Sequence, residues 1–214
     1  SGYYGDGAGL FNDTAGTAVI KNSIIENNRV LTNSIEGEGG GVYNSGTLIV
    51  ENSTFKNNYD RTGDTNDIYN ASGGTLEFNG SGTTNIQSGL SGEGTLNKND
   101  GGALNLGGKN SGYTGTFNFN SGTVNLLANS SYFSAQNTNF SNNINFNMQN
   151  RQINSVNFGN LNLSGTSNIF ADVDFRQNVM DRINANAVSG SGNLYLKNIA
   201  IEGTPEGKFI SIPF

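Results

Sequence analysis

The stretch that decides the fold is "GGGVYNSGTLIVENSTFKNN", residues 39–58. It places glycines, an aromatic residue, an asparagine, a Gly-Thr step, a short apolar alternation and a pair of asparagines in a fixed order. Residues 7–28, "GAGLFNDTAGTAVIKNSIIENN", carry the same features in the same order, and residues 66–82, "NDIYNASGGTLEFNGSG", are a shortened copy. Self-similarity at a period of about thirty residues is typical of a solenoid, in which each repeat packs on its neighbours.

Aligning the three Gly-Thr steps places like residues in columns. Because alternate side chains of a strand share a face, the two apolar columns after the step are predicted to point inward. Val19, Ile49 and Glu77, which lie between those columns, are predicted to point outward. Asparagine columns at the corners can pass amide hydrogen bonds from one rung to the next. The predicted columns are Ala18, Leu48, Leu76; Ile20, Val50, Phe78; Phe11, Tyr43, Tyr69; and Asn12, Asn44, Asn70.

The rest of the chain continues this alternation in a looser form, with segments such as "GTLNKN", "GTFNFN" and "GTVNLLA". No segment shows an apolar period of about 3.6 residues, so no helix is predicted. The sequence therefore predicts an all-β parallel β-helix (solenoid) with about seven rungs of about thirty residues each. An antiparallel sandwich or barrel is the alternative, although hairpin proteins rarely align the same residue column three times in succession.

Composition and charge narrow the classes of function. The 214 residues contain no cysteine and no histidine, which excludes disulfides, thiolate or imidazole metal ligands and histidine-based catalysis. A formal net charge of −6 without any basic run argues against nucleic acid and anionic membranes as partners. Only 13% of residues are charged, yet 8 Tyr and 13 Phe lie among short β-branched runs, which favours an ordered β chain over a disordered one.

Carboxylates are the remaining candidates for catalysis. Asp172 and Asp174 in "ADVDF" share a face by the strand period and form the best candidate pair. Glycosidases place two carboxyl groups about 5–9.5 Å apart, but on a solenoid many pairs on adjacent rungs lie near this distance. A solvated, outward pair near a loop is the favoured interpretation. The chain also lacks the Asn-Thr-Asp, Asp-Asp and His-Gly motifs of polygalacturonase-like enzymes, so it is not predicted to be an enzyme.

The segment "DRTGDTND" gathers acidic residues in a predicted loop between two rungs. Asp60, Asp64 and Asp67, together with Asn66, could supply oxygen ligands to Ca²⁺, which takes about six to eight of them. A plain acidic turn is the favoured interpretation, and no cofactor is predicted. Aromatic residues outside the columns could stack on sugar rings if exposed, although packing at rung edges is favoured; they are Tyr3, Tyr4, Tyr59, Tyr132 and Phe133.

Two segments resemble known families. "GGGVYN" followed by "STFKNN" resembles the paired motifs of polymorphic outer-membrane proteins, with Phe55 and Asn58 in the second motif, and "GGAL" at 101–104 matches the first more closely. The first copy has Ile25 in place of Phe55. Residues 91–129 resemble the strand repeat associated with autotransporter passengers. The matching positions are Gly94, Leu96, Lys98, Leu104, Leu106, Gly108, Asn110, Tyr113, Thr114, Gly115, Gly122, Val124 and Leu126.

The resemblance implies a right-handed parallel β-helix that is displayed on a bacterial cell surface, associated with the outer membrane, or secreted. It implies a non-catalytic adhesin or rigid stalk, with a membrane barrel elsewhere in the full-length chain. The implied partner is a protein or glycan on a host or neighbouring cell. Residues 1–214 are then a single segment, with regular repeats at 1–90, the autotransporter-type repeat at 91–129 and C-terminal rungs at 130–214. The alternative function is a carbohydrate-active β-helix, a polysaccharide lyase or hydrolase that could depend on calcium.

Overall fold

The computed structural model describes residues 3–4, 6–31, 34–128, 133–141 and 143–203. Within these ranges every regular element is a β-strand, and almost all strand pairs are parallel. No helix in the described ranges has the length and apolar character that crossing a membrane requires.

The first sheet has eight parallel strands, and each strand pairs with the equivalent strand one rung away. Its strands are β3 (Thr17–Lys21), β7 (Thr47–Glu51), β10 (Thr75–Asn79), β13 (Thr95–Lys98), β15 (Thr116–Phe119), β17 (Asn137–Phe140), β20 (Asn160–Leu163) and β24 (Ala187–Gly190).

The second sheet follows the first along the chain in each rung. Its strands are β4 (Ile24–Glu26), β8 (Thr54–Lys56), β11 (Thr83–Ile86), β14 (Ala103–Leu106), β16 (Gly122–Leu126), β18 (Ile144–Asn147) and β21 (Thr166–Asp174). At its end β25 (Asn193–Glu202) pairs with β21 in parallel, and β22 (Val179–Met180) pairs with β21 antiparallel.

The third sheet is parallel but shorter, with β2 (Leu10–Asn12), β6 (Val42–Asn44), β9 (Ile68–Asn70) and β12 (Leu90–Gly92). After β12 this face continues as single bridges, Gly92 to Tyr113 and Ser134 to Asn157. Two parallel pairs complete the fold: β1 (Tyr3–Tyr4) with β5 (Ser34–Glu36), and β19 (Ser155–Asn157) with β23 (Arg182–Asn184).

These sheets confirm the all-β, parallel solenoid prediction, whereas the predicted rung length holds only at the start. In the first sheet the interval between successive strand starts falls from 30 and 28 residues to 20 or 21, then rises to 23 and 27. The first sheet has eight strands, where the sequence predicted about seven rungs. The shortening begins between Thr75 and Thr95, in a rung that still contains β12. It comes from the connection between the second and third sheets, which has eleven residues between β8 and β9 but three between β11 and β12.

The core is a continuous apolar column inside the stacked sheets. Leu48 lies opposite Ala18 on one side and Leu76 on the other, and the same column continues through Leu96 to Phe117. Leu48, Leu76 and Leu96 are fully buried. Burying a leucine contributes about 1.5–3 kcal/mol relative to leaving it exposed, so this column supplies much of the folding free energy.

The glycines of the Gly-Thr steps at Gly46, Gly74 and Gly94 lie where neighbouring rungs approach closely. A Cβ atom on Gly46 would lie 2.3 Å from the carbonyl oxygen of Gly16, and one on Gly94 would lie 2.4 Å from the Asn70 amide nitrogen. The corners beside the strands instead use asparagine in the left-handed region, with φ near 50° at Asn22 and Asn52. Asparagine is one of the few residues other than glycine that adopts this conformation readily.

Candidate binding surfaces

A buried asparagine ladder runs beside the third sheet. The Asn12 side-chain amide donates to Asn44 Oδ1 at 2.7 Å, and the Asn44 amide donates to Asn70 Oδ1 at 2.7 Å. The Asn70 amide then donates to the Tyr113 hydroxyl at 3.2 Å, and that hydroxyl donates to the carbonyl oxygen of Gly94 at 2.9 Å. Burial raises the pKa of the Tyr113 phenol far above its ordinary value. The ladder is structural, because its members bond to one another and to the backbone.

Further asparagine ladders cover the outer faces of the first and second sheets. Each side-chain amide donates to the side-chain oxygen one rung below, at 2.7–3.1 Å, so hydrogen-bonding capacity on these faces is largely used within the chain. The ladders are Asn97–Asn118–Asn139; Asn79–Asn99–Asn120; Asn137–Asn160; Asn145–Asn168; and Asn85–Asn105–Asn125–Asn147.

The aromatic column of the third sheet forms a face-to-face stack. The ring centroids of Phe11 and Tyr43 are 5.2 Å apart and those of Tyr43 and Tyr69 are 5.4 Å apart, with interplanar angles of 11° and 15°. Because the ring faces contact one another, the stack offers few free faces for a sugar. Phe11 in the edge strand β2 is 51% exposed and is the most accessible of the three.

The aromatic residues outside the columns have separate environments. Phe133 is buried and packs edge-on against Phe117, with centroids 5.1 Å apart. The guanidinium of Arg29 lies 4.9 Å from the ring centroid of Tyr59. Tyr132 and the side chains of Tyr3 and Tyr4 lie outside the described residues. Phe133 therefore belongs to the core rather than to a binding surface.

The acidic loop does not bring its carboxylates together. Asp60 accepts hydrogen bonds from the Thr62 hydroxyl and the Asp64 backbone, while Asp64 pairs with Lys109 at 2.9 Å. Asp67 is fully buried and accepts from the Asn58 amide at 2.7 Å and from two backbone N–H groups on the next rung. Among the described residues no group of three or more acidic side chains is placed to hold a metal ion.

The prediction that Asp172 and Asp174 form a solvated, outward pair is wrong, because both residues are buried. Asp172 is 2% exposed and Asp174 is 7% exposed. The regular alternation of burial stops at Ala171, because β21 is longer than the earlier strands and β22 folds back on its end. Asp172 accepts from the backbone N–H groups of Asn150 and Arg151, both at 2.7 Å.

Asp181 is a buried carboxylate that the sequence analysis did not identify. It accepts from the backbone N–H groups of Asn154 and Asp172, both at 2.6 Å, and so links two rungs. Burial raises its pKa to about 6, against the lowering effect of these donors. For Asp174, burial alone would raise the pKa, but the N–H groups of Arg176 and Gln177 and the Arg176 guanidinium lower it overall. Asp172 and Asp181 therefore join separate backbone segments, whereas Asp174 accepts hydrogen bonds within its own turn.

The buried carboxylates predict how stability depends on pH. Burial raises the pKa of Asp67 to about 6 in the folded chain, from 3.8 for an unperturbed aspartate. Between these values the folded chain holds a proton that the unfolded chain has lost, so stability falls as pH rises through this window. For Asp67 the effect is about 3 kcal/mol between about pH 4 and pH 7. Urea unfolding at several pH values should show greater stability near pH 4.5 than near pH 7.

The variant Asp67→Asn should reduce this pH dependence, whatever its effect on stability itself. Asp64→Asn is the matched control, because Asp64 is an exposed carboxylate of the same loop that pairs with Lys109. Stability that is constant or increases with pH across this window would contradict the assignment.

A polar groove lies along the corner between the third-sheet face and the first sheet, and it begins at Ser72 and Glu93, which follow β9 and β12. Its volume is about 550 Å³, and it follows the corner before the first-sheet strands over several rungs. Its seven lining residues come from five different rungs and share no motif, and sequence analysis therefore missed it. They are Ser72, Glu93, Thr114, Ser134, Ala135, Gln136 and Asn186.

Comparison of this chain with protein-family models, curated proteins and solved structures finds no match in any of the three.

Proposed function

We propose that this chain is a rigid segment of an autotransporter-like passenger, displayed on a bacterial surface or secreted, which acts as a non-catalytic adhesin or stalk. The observation that carries the proposal is the uninterrupted first sheet, eight parallel strands deep, over one apolar core. Seven steps of about 4.8 Å between strands correspond to an axial length of about 34 Å. A structure of this kind holds a binding surface at a fixed distance from its anchor.

Rigidity is supported by three sets of contacts that repeat at each rung. Backbone hydrogen bonds join the parallel strands, the apolar column fills the interior, and the asparagine ladders join side chains from rung to rung. In such an array stability is close to a sum of rung and interface contributions, so neighbouring rungs stabilise one another.

The positions of the carboxylates support the non-catalytic part of the proposal. Asp67, Asp172 and Asp181 are buried and accept hydrogen bonds from backbone N–H groups. Among the described residues that line the groove, Glu93 is the single carboxylate, whereas glycoside hydrolysis ordinarily uses a pair.

A distance measurement on the cell surface tests the stalk. The chain is fused between an epitope tag and an outer-membrane anchor, and the tag-to-anchor distance is measured by fluorescence energy transfer. We expect a narrow distribution about 34 Å longer than for the anchor alone. A Gly/Ser linker of the same length is the control, with a broad distribution around about 80 Å. A broad distribution for the chain itself would contradict the proposal.

An activity assay tests the alternative, a carbohydrate-active enzyme. The purified chain is incubated with a panel of neutral and acidic polysaccharides, with and without Ca²⁺. We expect no release of reducing or unsaturated ends. Release in either condition would replace the adhesin or stalk proposal with an enzymatic function.

A further inference from the structure

The polar groove differs from the other faces of the solenoid in its free hydrogen-bonding capacity. On the first and second sheets, most outward asparagine amides bond to one another. In the groove, the exposed side chains of Glu93, Thr114 and Gln136 have no hydrogen-bond or ion-pair partner among the described residues. A row of polar groups that the chain itself leaves unbonded is the surface best suited to a ligand that forms many hydrogen bonds.

The groove floor is closed to an added β-strand. The backbone N–H of Gln136 donates to the carbonyl oxygens of Thr114 and Gly115, and the Gln136 carbonyl accepts from Asn160. The N–H of Asn186 donates to the carbonyl oxygen of Gly159. Because these backbone groups already join the rungs, an extended peptide could not bind here by strand addition. A ligand must instead contact the side chains.

The lining favours an uncharged, hydroxyl-rich ligand. Hydroxyl and amide groups, as on Ser72, Thr114, Gln136 and Asn186, both donate and accept hydrogen bonds, as sugar hydroxyls do. The lining as described contains no lysine or arginine that could pair with an acidic sugar, and the formal net charge of −6 repels polyanions. The lining also lacks an aromatic ring, and Ala135 is its one apolar residue, so it suits hydrogen bonding better than apolar contact.

The spacing of the lining residues favours a linear polymer. Ser72, Glu93, Thr114, Gln136 and Asn186 each precede a different first-sheet strand, from β10 to β24. Adjacent rungs are about 4.8 Å apart, so the first four of these side chains recur along the solenoid axis at a distance close to one sugar residue. Asn186 follows two rungs after Gln136, because no lining residue precedes β20. A linear oligosaccharide lying parallel to the axis could therefore contact a new polar side chain with nearly every sugar.

We infer that this groove binds an uncharged linear oligosaccharide parallel to the solenoid axis. The inference rests on the adhesive part of the proposed function and names the class of its ligand. Because the contacts repeat along the axis, affinity increases with oligosaccharide length from a dimer to about a pentamer and then becomes constant.

Calorimetric titration of the purified chain tests this inference. The probes are β-1,4-linked oligomers of glucose, xylose and mannose, from dimers to hexamers, with hexagalacturonate as the acidic comparison. We expect at least one neutral series to bind with length-dependent affinity, and the acidic hexamer to bind at least about tenfold more weakly. Thr114→Val removes one hydroxyl with little change of shape, and Gln136→Ala removes one amide. Each should lower affinity about fivefold, the value of one hydrogen bond.

Gln87→Ala is the matched control, because Gln87 is also an exposed glutamine but lies at a different corner, after β11. It should leave affinity unchanged. Absence of binding by every neutral hexamer at millimolar concentration would overturn the inference, as would equal affinity for hexagalacturonate or equal losses in all three variants. The tag-to-anchor distance does not depend on sugar binding, so a failure here is distinguishable from failure of the proposed function.

Discussion

Replacing Leu48 with aspartate is expected to prevent the chain from folding. Leu48 is fully buried in the inward column, between Ala18 and Leu76. The substitution removes about 1.5–3 kcal/mol of apolar burial. It also places a carboxylate in a column of aliphatic side chains, where an unpaired charge costs several kcal/mol more or must be neutralised by a proton. The sum approaches the whole stability of an ordinary domain, which is about 5–15 kcal/mol.

Far-ultraviolet circular dichroism and limited proteolysis measure this result. The Leu48→Asp chain should lose its β signal and be digested under conditions in which the parent chain is resistant. Val19→Asp is the control, because Val19 lies on the outer face of the same sheet and is 59% exposed. It should change stability by less than about 1 kcal/mol. A Leu48→Asp chain with an unchanged melting temperature would show that Leu48 does not point inward.

Replacing Asn44 with aspartate is expected to have the second-largest effect. The Asn44 side chain is fully buried, and its Nδ2 donates to Asn70 Oδ1 at 2.7 Å, to the Thr75 carbonyl at 3.0 Å and to the Gly46 carbonyl at 3.2 Å. Aspartate has nearly the same shape, but it presents an oxygen to three oxygen acceptors. Asn70 cannot easily turn its amide to compensate, because that amide already donates to Tyr113. We expect a loss of about 4 kcal/mol.

Urea unfolding of the variant against the parent chain measures this loss. Asn118→Asp is the matched control, because Asn118 belongs to an asparagine ladder that water can reach on the outer face of the first sheet. Water can replace its lost hydrogen bond, so the control should cost less than about 1 kcal/mol. Similar losses in the two variants would contradict the claim that the buried ladder is a distinct source of stability.

The regular part of the fold was predictable because each rung repeats the same pattern of turn residues and inward apolar side chains. The Gly-Thr step sets the register, and strand alternation then assigns Leu48 to the interior and Ile49 to the outer face. The asparagines that follow the aromatic column were predicted at the corners, and Asn12, Asn44 and Asn70 form the buried ladder. Equivalent positions of successive rungs are recognisable in the sequence because each side chain must pack against a similar side chain in the rung before it and in the rung after it.

The irregular features were not predictable, because each depends on contacts specific to one rung. Lys98 is a lysine in an inward column, where it lies between Phe78 and Phe119 and is only 2% exposed. Its amine donates to the carbonyl oxygens of Asp100 and Ser121, and burial lowers its pKa. The burial of Asp172 similarly depends on β22, whose return against β21 leaves no periodic pattern in the sequence.

The groove was predictable only in part. Shortening of the rungs is visible as a closer spacing of the Gly-Thr steps from Gly94 to Gly115, once the strand positions are known. The lining side chains, however, differ in type from Ser72 to Asn186, because a polar surface open to water places no constraint on which polar residue it uses. Repeating sequence patterns arise from residues that must pack against equivalent residues, and the side chains of this surface do not pack in that way.

Electron paramagnetic resonance distances along one outward column test the central claim, the parallel stacking of rungs. The chain has no cysteine, so pairs of cysteines can be introduced and spin-labelled at chosen sites. Ile49 is paired in turn with Asn139, Asn162 and Ser189, which lie four, five and six rungs further along its column. The account predicts distances of about 19, 24 and 29 Å, increasing by about 4.8 Å per rung. Distances that do not increase with rung number, as in an antiparallel sandwich, would contradict it.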